Sequence, residues 1–229
     1  MKPFRSTAAW LLLVSALVAE SGLAAPRTFG LVAPATGRTG IEFSIGYTAG
    51  THEGRAESVS GQATIDLEDF SASTALFSVP LSAMNTGNAK RDCHMREALG
   101  LNYSVSKYPE GGHVCSSSQM TPATGPDSVV FDRVTFLLKG MTNTDGSRIE
   151  ALTPGVPTPV LAAIDWNLHG VSRSQNEALV VTLENNDRLR IGGSSKLVLK
   201  DFGVEVLPFL IITVSEFATA KYDVVLQAR

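Results

Sequence analysis

Lys90, Arg91, Asp92, Cys93, His94, Met95 and Arg96 fill seven consecutive positions, the densest run of titratable and hydrogen-bonding groups in the chain. Such a cluster at the rim of a cavity can receive an anionic head group. A guanidinium offers paired N–H donors, and an imidazole offers a donor or an acceptor. Arg91, His94 and Arg96 are the candidates for that work. A plainer chemistry is also open, because Asp92 and Arg96 are four residues apart. On a helix that spacing gives a surface ion pair worth about 0.2–0.5 kcal/mol.

The same run supports a metal alternative. Cys93 and His94, with His113 and Cys115, supply two thiols and two imidazoles, and on a strand His113 and Cys115 share a face. Met95 and Met120 add soft ligands, so zinc or copper is chemically sensible. The two thiols can instead pair with each other. A Cys93–Cys115 disulfide would pin the cationic turn to the following segment and contribute about 3 kcal/mol by loop closure. Catalytic signatures are missing. The chain shows no nucleophile elbow with an acid partner, no Walker loop, no dinucleotide fingerprint and no His-Glu-x-x-His helix. The chain is therefore not read as an enzyme, and no cofactor is expected.

These residues sit between segments of another kind. Thr74–Pro80, before them, is β-rich, whereas the stretch from Asn88 permits a helix, with Thr86 or Asn88 as its cap. Alternation with period two marks Ile41–Tyr47, Val59–Leu67, Val129–Lys139 and Val160–Leu168 as strands. Further strands are expected near His113–Ser118, Ala178–Glu184, Leu189–Leu199, Phe209–Val214 and Thr219–Ala228. His52-Glu-Gly-Arg reads as a turn with His52 in solvent. Gly140–Pro159 reads as a long irregular loop of the kind that serves as a lid or insertion. Many strands at hairpin spacing and one helical patch, near residues 88–101, predict an all-β antiparallel barrel or sandwich.

Several short motifs then fall in one order. Asn88-x-x-Arg-Asp-x-His-Met-Arg96 is followed by Lys107-Tyr-Pro109, and it is preceded by Phe43-Ser-Ile45 and by Val59-Ser-Gly-Gln-Ala-Thr-Ile-Asp66. Leu168-His-Gly-Val-Ser172 and Lys200-Asp-Phe-Gly203 come later. Together they resemble the YceI-like family of lipid- and polyisoprenoid-binding proteins, from about Phe43 to the end of the chain. The resemblance implies a lipocalin-like antiparallel β-barrel of about eight strands around an elongated apolar pocket. It also implies an isoprenoid or similar long-chain amphipathic lipid as ligand, a carrier or sequestering role, and pairing into homodimers. Arg91, His94 and Arg96 occupy the matching motif positions, and His169 is a weaker candidate. Glu110-Gly-Gly112 and the Gly140–Pro159 loop depart from the pattern, and both are expected to reshape the mouth.

Length and charge set the remaining bounds. A chain of 229 residues is long enough for one domain with a sizeable core. Residues 1–25 follow the plan of a secretory signal peptide: basic Lys2 and Arg5, an apolar run from Ala8 to Ala19, then small residues ending at Ala24 and Ala25. Residues 26–229 are then one exported domain, periplasmic or secreted. The full chain has 19 basic and 22 acidic residues, and without Lys2, Arg5 and Glu20 the counts are 17 and 21, net −4. That balance argues against nucleic acid as a partner. No later segment is long and apolar enough for a transmembrane helix.

Overall fold

A computed structural model describes residues 25–32, 39–101, 131–205 and 213–229. Eleven strand segments form one sheet: β1 (Arg27–Leu31), β2 (Ile41–Tyr47), β3 (Gly50–Ala56), β4 (Ser60–Ile65), β5 (Thr74–Pro80) and β6 (Met84–Asn85) come first. The helix α1 (Ala89–Ala98) follows, and then β7 (Arg133–Asn143), β8 (Thr158–Leu168), β9 (Val171–Asn185), β10 (Arg188–Val198) and β11 (Val214–Ala228).

Pairing reduces these eleven segments to eight antiparallel runs. β1 and β2 lie end to end along one edge of β11, with Phe29 opposite Ala228 and Ile41 opposite Tyr222. β3 pairs with β2 and β4 with β1, so β3 and β4 are also one interrupted run. β5 and β6 pair with β4 and β3 and make the third. From there β7 to β11 follow as nearest neighbours, and β11 returns to β1 to close the barrel. Closure gives each run a ladder on both sides; among the described residues β6, the short end of the third run, pairs with β3 alone. The breaks in the first three runs are themselves bridged. Thr39 Oγ1 donates to Ala56 O at 2.5 Å, and Glu57 N donates to Ala83 O at 2.8 Å.

In an up-and-down barrel, successive connections alternate between the two ends. The β2–β3 turn, α1 and the β8–β9 turn gather at one end. The connections β4–β5, β7–β8 and β9–β10 gather at the other. That second end is packed shut by Phe29, Ile65, Phe70, Val160, Val181, Leu189 and Leu226, each at most 2% exposed. The β7–β8 connection belongs here too. Its irregular part is shorter than expected, since β7 runs on to Asn143 and β8 starts at Thr158. It does not lie over the mouth. Ile149 and Leu152 turn inward, 4% and 7% exposed. Ile149 N donates to Ser71 Oγ at 2.7 Å, Ser71 N donates back to Ile149 O, and Arg148 pairs with Asp69.

Two further expectations need revision. The residues from His52 to Arg55 are not a turn, because the chain reverses at Thr48–Ala49, between Tyr47 and Gly50, and His52 lies within β3 opposite Ile45. β9 begins at Val171 rather than near Ala178, paired along its length with β8 from Leu168–Val171 to Thr158–Val181. The expected strand at His113–Ser118 and the Lys107–Gly112 segment lie outside the described residues, as does most of Phe209–Val214. Among the described residues no helix is long and apolar enough to cross a membrane.

If the β7–β8 connection is the plug of the closed end, truncating its buried residue must hurt the whole fold. Ile149→Ala is expected to cost about 2–5 kcal/mol, as for other buried Ile or Leu truncations. Val156→Ser, on the exposed part of the same connection, is expected to stay within about 0.5 kcal/mol. Urea unfolding midpoints of the two variants check this.

Candidate binding cavity

Above the plug the barrel is hollow. A cavity of about 770 Å³ runs toward the α1 end, lined by side chains such as Leu31, Ile45, Phe77, Leu138, Leu179, Ile191 and Val224. These are inward residues of alternating strands, so the lining follows from period-two patterning around the ring. Small residues along one side, Ala56, Ala75, Ala218 and Ala220, leave the space that larger ones would fill.

α1 contributes a group of polar lining residues, and Glu42, Ser44, Thr135, Glu205 and Thr219 add others from elsewhere in the wall. Asn88 caps this helix, its side chain accepting from Arg91 N at 3.0 Å. The cap fixes the phase that turns Asn88, Lys90, Arg91, His94 and Met95 to the cavity. Arg91 is held on three sides. Its Nε donates to Thr86 Oγ1 at 2.9 Å, Nη2 to Thr86 O at 2.9 Å, and Nη1 contacts His52 Nδ1 at 2.8 Å. Asp92, buried, accepts from both Thr86 N and Thr86 Oγ1 and so anchors the residue that aims Arg91. A guanidinium has five N–H hydrogens, and three bonds leave two to offer.

The contact with His52 also fixes the imidazole. Arg91 has no acceptor, so His52 Nδ1 must accept and carry no hydrogen. Tyr47 stacks on the ring at 4.1 Å between centroids. His94 also faces the cavity, and its Nδ1 is buried without a protein partner. Burial, and then the Arg91 charge, hold His52 below the ordinary imidazole value; burial and then Lys90 do the same for His94.

Of the residues singled out from sequence, Arg91 and His94 therefore meet at the cavity. Arg96 points elsewhere, its Nε and Nη2 donating to Met84 O at 3.2 and 2.6 Å, which ties α1 to β6. His169 sits in the two-residue β8–β9 turn with φ 53°, followed by Gly170 at φ 73°. It is buried, with Nδ1 3.2 Å from Phe202 O and its ring edge-on to Phe131. That makes it a turn residue, sheltered from solvent. The metal alternative finds no support. Cys93 is buried and carries no free thiol. Among the described residues no three His, Cys, Asp or Glu side chains come together. His113 and Cys115 lie outside the described residues.

Sequence reasoning missed Tyr47, His52, Thr86 and Lys90. The signal that reaches His52 is the hairpin: a two-residue turn after Tyr47 puts His52 across from Ile45, on the inward face.

Comparison with known proteins agrees with this geometry. A family model described as a YceI-like domain matches residues 33–226. Among solved structures, a polyisoprenoid-binding domain from Saccharophagus degradans, implicated in plant cell wall breakdown, is similar at 15% identity and TM-score 0.55, covering 88% of this chain and 94% of that one. BcnA of Burkholderia cenocepacia is similar at 12% identity and TM-score 0.54, covering 81% and 94%. A Campylobacter jejuni YceI protein is similar at 12% and 0.50, covering 78% and 85%. At these identities the likeness is one of fold. No curated protein matches.

The two mouth histidines carry a pH signature. A histidine held below 6.5 in the fold is neutral above that pH, where its contribution to stability is full. As pH falls, the unfolded chain takes up protons near 6.5 before the folded one does, so stability declines with acidification. NMR titration is expected to place the His52 midpoint below 6.5. In Arg91→Ala it should move only part of the way back, because burial is the larger cause.

Proposed function

The chain belongs to the YceI-like family, and we propose that it is an exported carrier or sequestering protein for a polyisoprenoid or similar amphipathic lipid. The tail fills the barrel and the head group rests at α1. The observation that carries this reading is the cavity itself: about 770 Å³ with a mainly apolar lining and the donors Lys90 and Arg91 brought to it by α1. Ligand pockets commonly span about 300–1,000 Å³ and place a few polar groups against a mainly apolar wall. The polyisoprenoid-binding domain from Saccharophagus degradans shares the fold.

Apolar burial supplies the affinity. Each buried methylene is worth about 0.8 kcal/mol, so ten carbons contribute roughly 8 kcal/mol before ordering costs are subtracted. Arg91 supplies the selectivity for a head group, with two N–H hydrogens beyond those held by Thr86 and His52. His94 adds a polar ring to the cavity wall, and Lys90 adds charge. Arg96 serves the site through Met84, by holding α1 against β6. Binding accounts for the cavity without calling on any reacting group.

Export is the second part of the proposal. The apolar run of residues 8–19 ends before the family match begins at residue 33. A chain whose two cysteines are Cys93 and Cys115, with Cys93 not a free thiol, suits an oxidising compartment. We assign Cys115 as its partner. The denatured exported protein should gain two hydrogens on reduction, and its sequence should start near Ala25 or Pro26. A protein with free thiols or an intact leader would contradict this part.

For the lipid, the test is native mass spectrometry of protein purified without detergent. A bound mass of several hundred daltons that extracts into organic solvent is expected. Arg91→Ala should weaken binding of an anionic-headed amphiphile by roughly 10- to 100-fold, the range for losing a hydrogen bond to a charged group. Arg96→Ala should lower thermal stability while leaving relative affinities among head groups unchanged. Absence of any lipid, together with unchanged affinity in folded Arg91→Ala, would sink the proposal.

A further inference from the structure

Partway down the cavity, on the wall built by β8 to β11, lies a carboxylate that the carrier reading does not use. Glu177 points inward from β9 and is 5% exposed. Four donors converge on it. Trp166 Nε1 donates to Oε1 at 2.7 Å, and Gln175 Nε2 donates to the same oxygen. The hydroxyls of Ser195 and Tyr222 donate to Oε2. None of the four is a cation, and among the described residues no Lys or Arg side chain pairs with Glu177.

Two of these partners form the surface a ligand touches. Trp166 and Tyr222 line the cavity, with Glu177 behind them. Phe136 lies edge-on to both, at 5.3 Å from Trp166 and 6.4 Å from Tyr222, so the three rings span the barrel from β7 to β11. Gly193 makes room for the arrangement, since a Cβ there would stand 2.8 Å from Tyr222 Cε2 and 2.7 Å from Leu179 Cδ2. The hydrogen accounting then decides what this level offers. Ser195 Oγ and Tyr222 OH also lie 2.7 Å apart; each hydroxyl has one hydrogen, and whether it goes to the carboxylate or to the other hydroxyl, both stay inside this cluster. Tyr222 therefore shows the cavity a ring face and an oxygen lone pair, and no donor.

We infer that Glu177 is a specificity-determining residue: through Tyr222 and Trp166 it makes the middle of the channel an acceptor-only, negatively charged station. This rests on the carrier reading. α1 brings donors and positive charge to the cavity through Arg91 and Lys90, with Glu42 and Glu205 also on the lining, whereas the groups gathered around Glu177 present neither a free donor nor a positive charge. An anionic or carbonyl group carried to this depth finds no donor and meets a like charge in a low-dielectric wall. Ligands are thus admitted tail first, and their tails must be free of anionic and carbonyl groups at this level. A terminal amine or hydroxyl, which can donate, is tolerated there.

The test compares three probes on delipidated full-length mature protein by calorimetry: hexadecanoate, hexadecanedioate and its ω-amino counterpart, each presenting one carboxylate to the mouth. Comparing two charged termini cancels the general cost of bringing charge inside. Wild type is expected to bind the ω-amino acid roughly tenfold or more tighter than the dicarboxylate, and Glu177→Gln, which keeps size but removes charge, should bring the two within about threefold. Equal affinities in wild type overturn the inference whether or not the variant folds. A gap that persists in folded Glu177→Gln overturns it as well. If hexadecanoate itself fails to bind wild type, the carrier reading falls and takes this inference with it.

Discussion

Everything in this molecule depends on β11 being paired along both edges. One edge takes β10 over its length. The other is shared, with β2 on its first part and β1 on its last. That shared edge closes the ring, and a closed ring is what allows an interior to stay partly unfilled. In an ordinary core a void of this size would forfeit dispersion contacts and collapse. Here backbone hydrogen bonds hold the wall independently of what lies within it. The plug at one end and α1 at the other then fix how deep the hollow runs.

The same division of labour explains which parts were legible in the sequence. Ile41–Tyr47 and most of β8 alternate cleanly, and both strands appear where the pattern puts them. β3 was hidden because Gly50-Thr-His-Glu-Gly-Arg55 carries no apolar side chain. Its strand character comes from pairing with β2, which sequence pattern does not display. The first half of β9 was hidden for a related reason: Arg173 is exposed, and the next alternate positions hold Gln175 and Glu177, so the period-two signal vanishes just where the polar station is built. The β7–β8 connection was visible as a long loop, but its end of the barrel was not. Parity decides that. α1 fills the connection before β7, so the connection after β7 must lie at the opposite end.

The site was half legible. Arg91 and His94 were marked by their place in a dense motif and by the resemblance it carried. Their partners were not. Thr86 is an ordinary residue until Asp92 anchors it, and His52 is an ordinary residue until a hairpin sets it beside Arg91. Positioning groups acquire their roles from the fold, whereas charged contact groups advertise themselves by type. Helix capping lies between the two: Asn88 was one of two candidates, and the geometry chose it.

The closing of the ring also brings the two ends of the described chain together. Arg229 N donates to Thr28 O at 3.0 Å, and Phe29 faces Ala228 across the ladder, both at the plugged end. The strand order is thus a circle, and a circle has no first strand. The covalent break between β11 and β1 is a matter of bookkeeping that could be moved to the His169–Gly170 turn without changing a neighbour. It also sets an orientation. A group attached at Arg229 leaves from the plugged end, opposite the end where α1 lies.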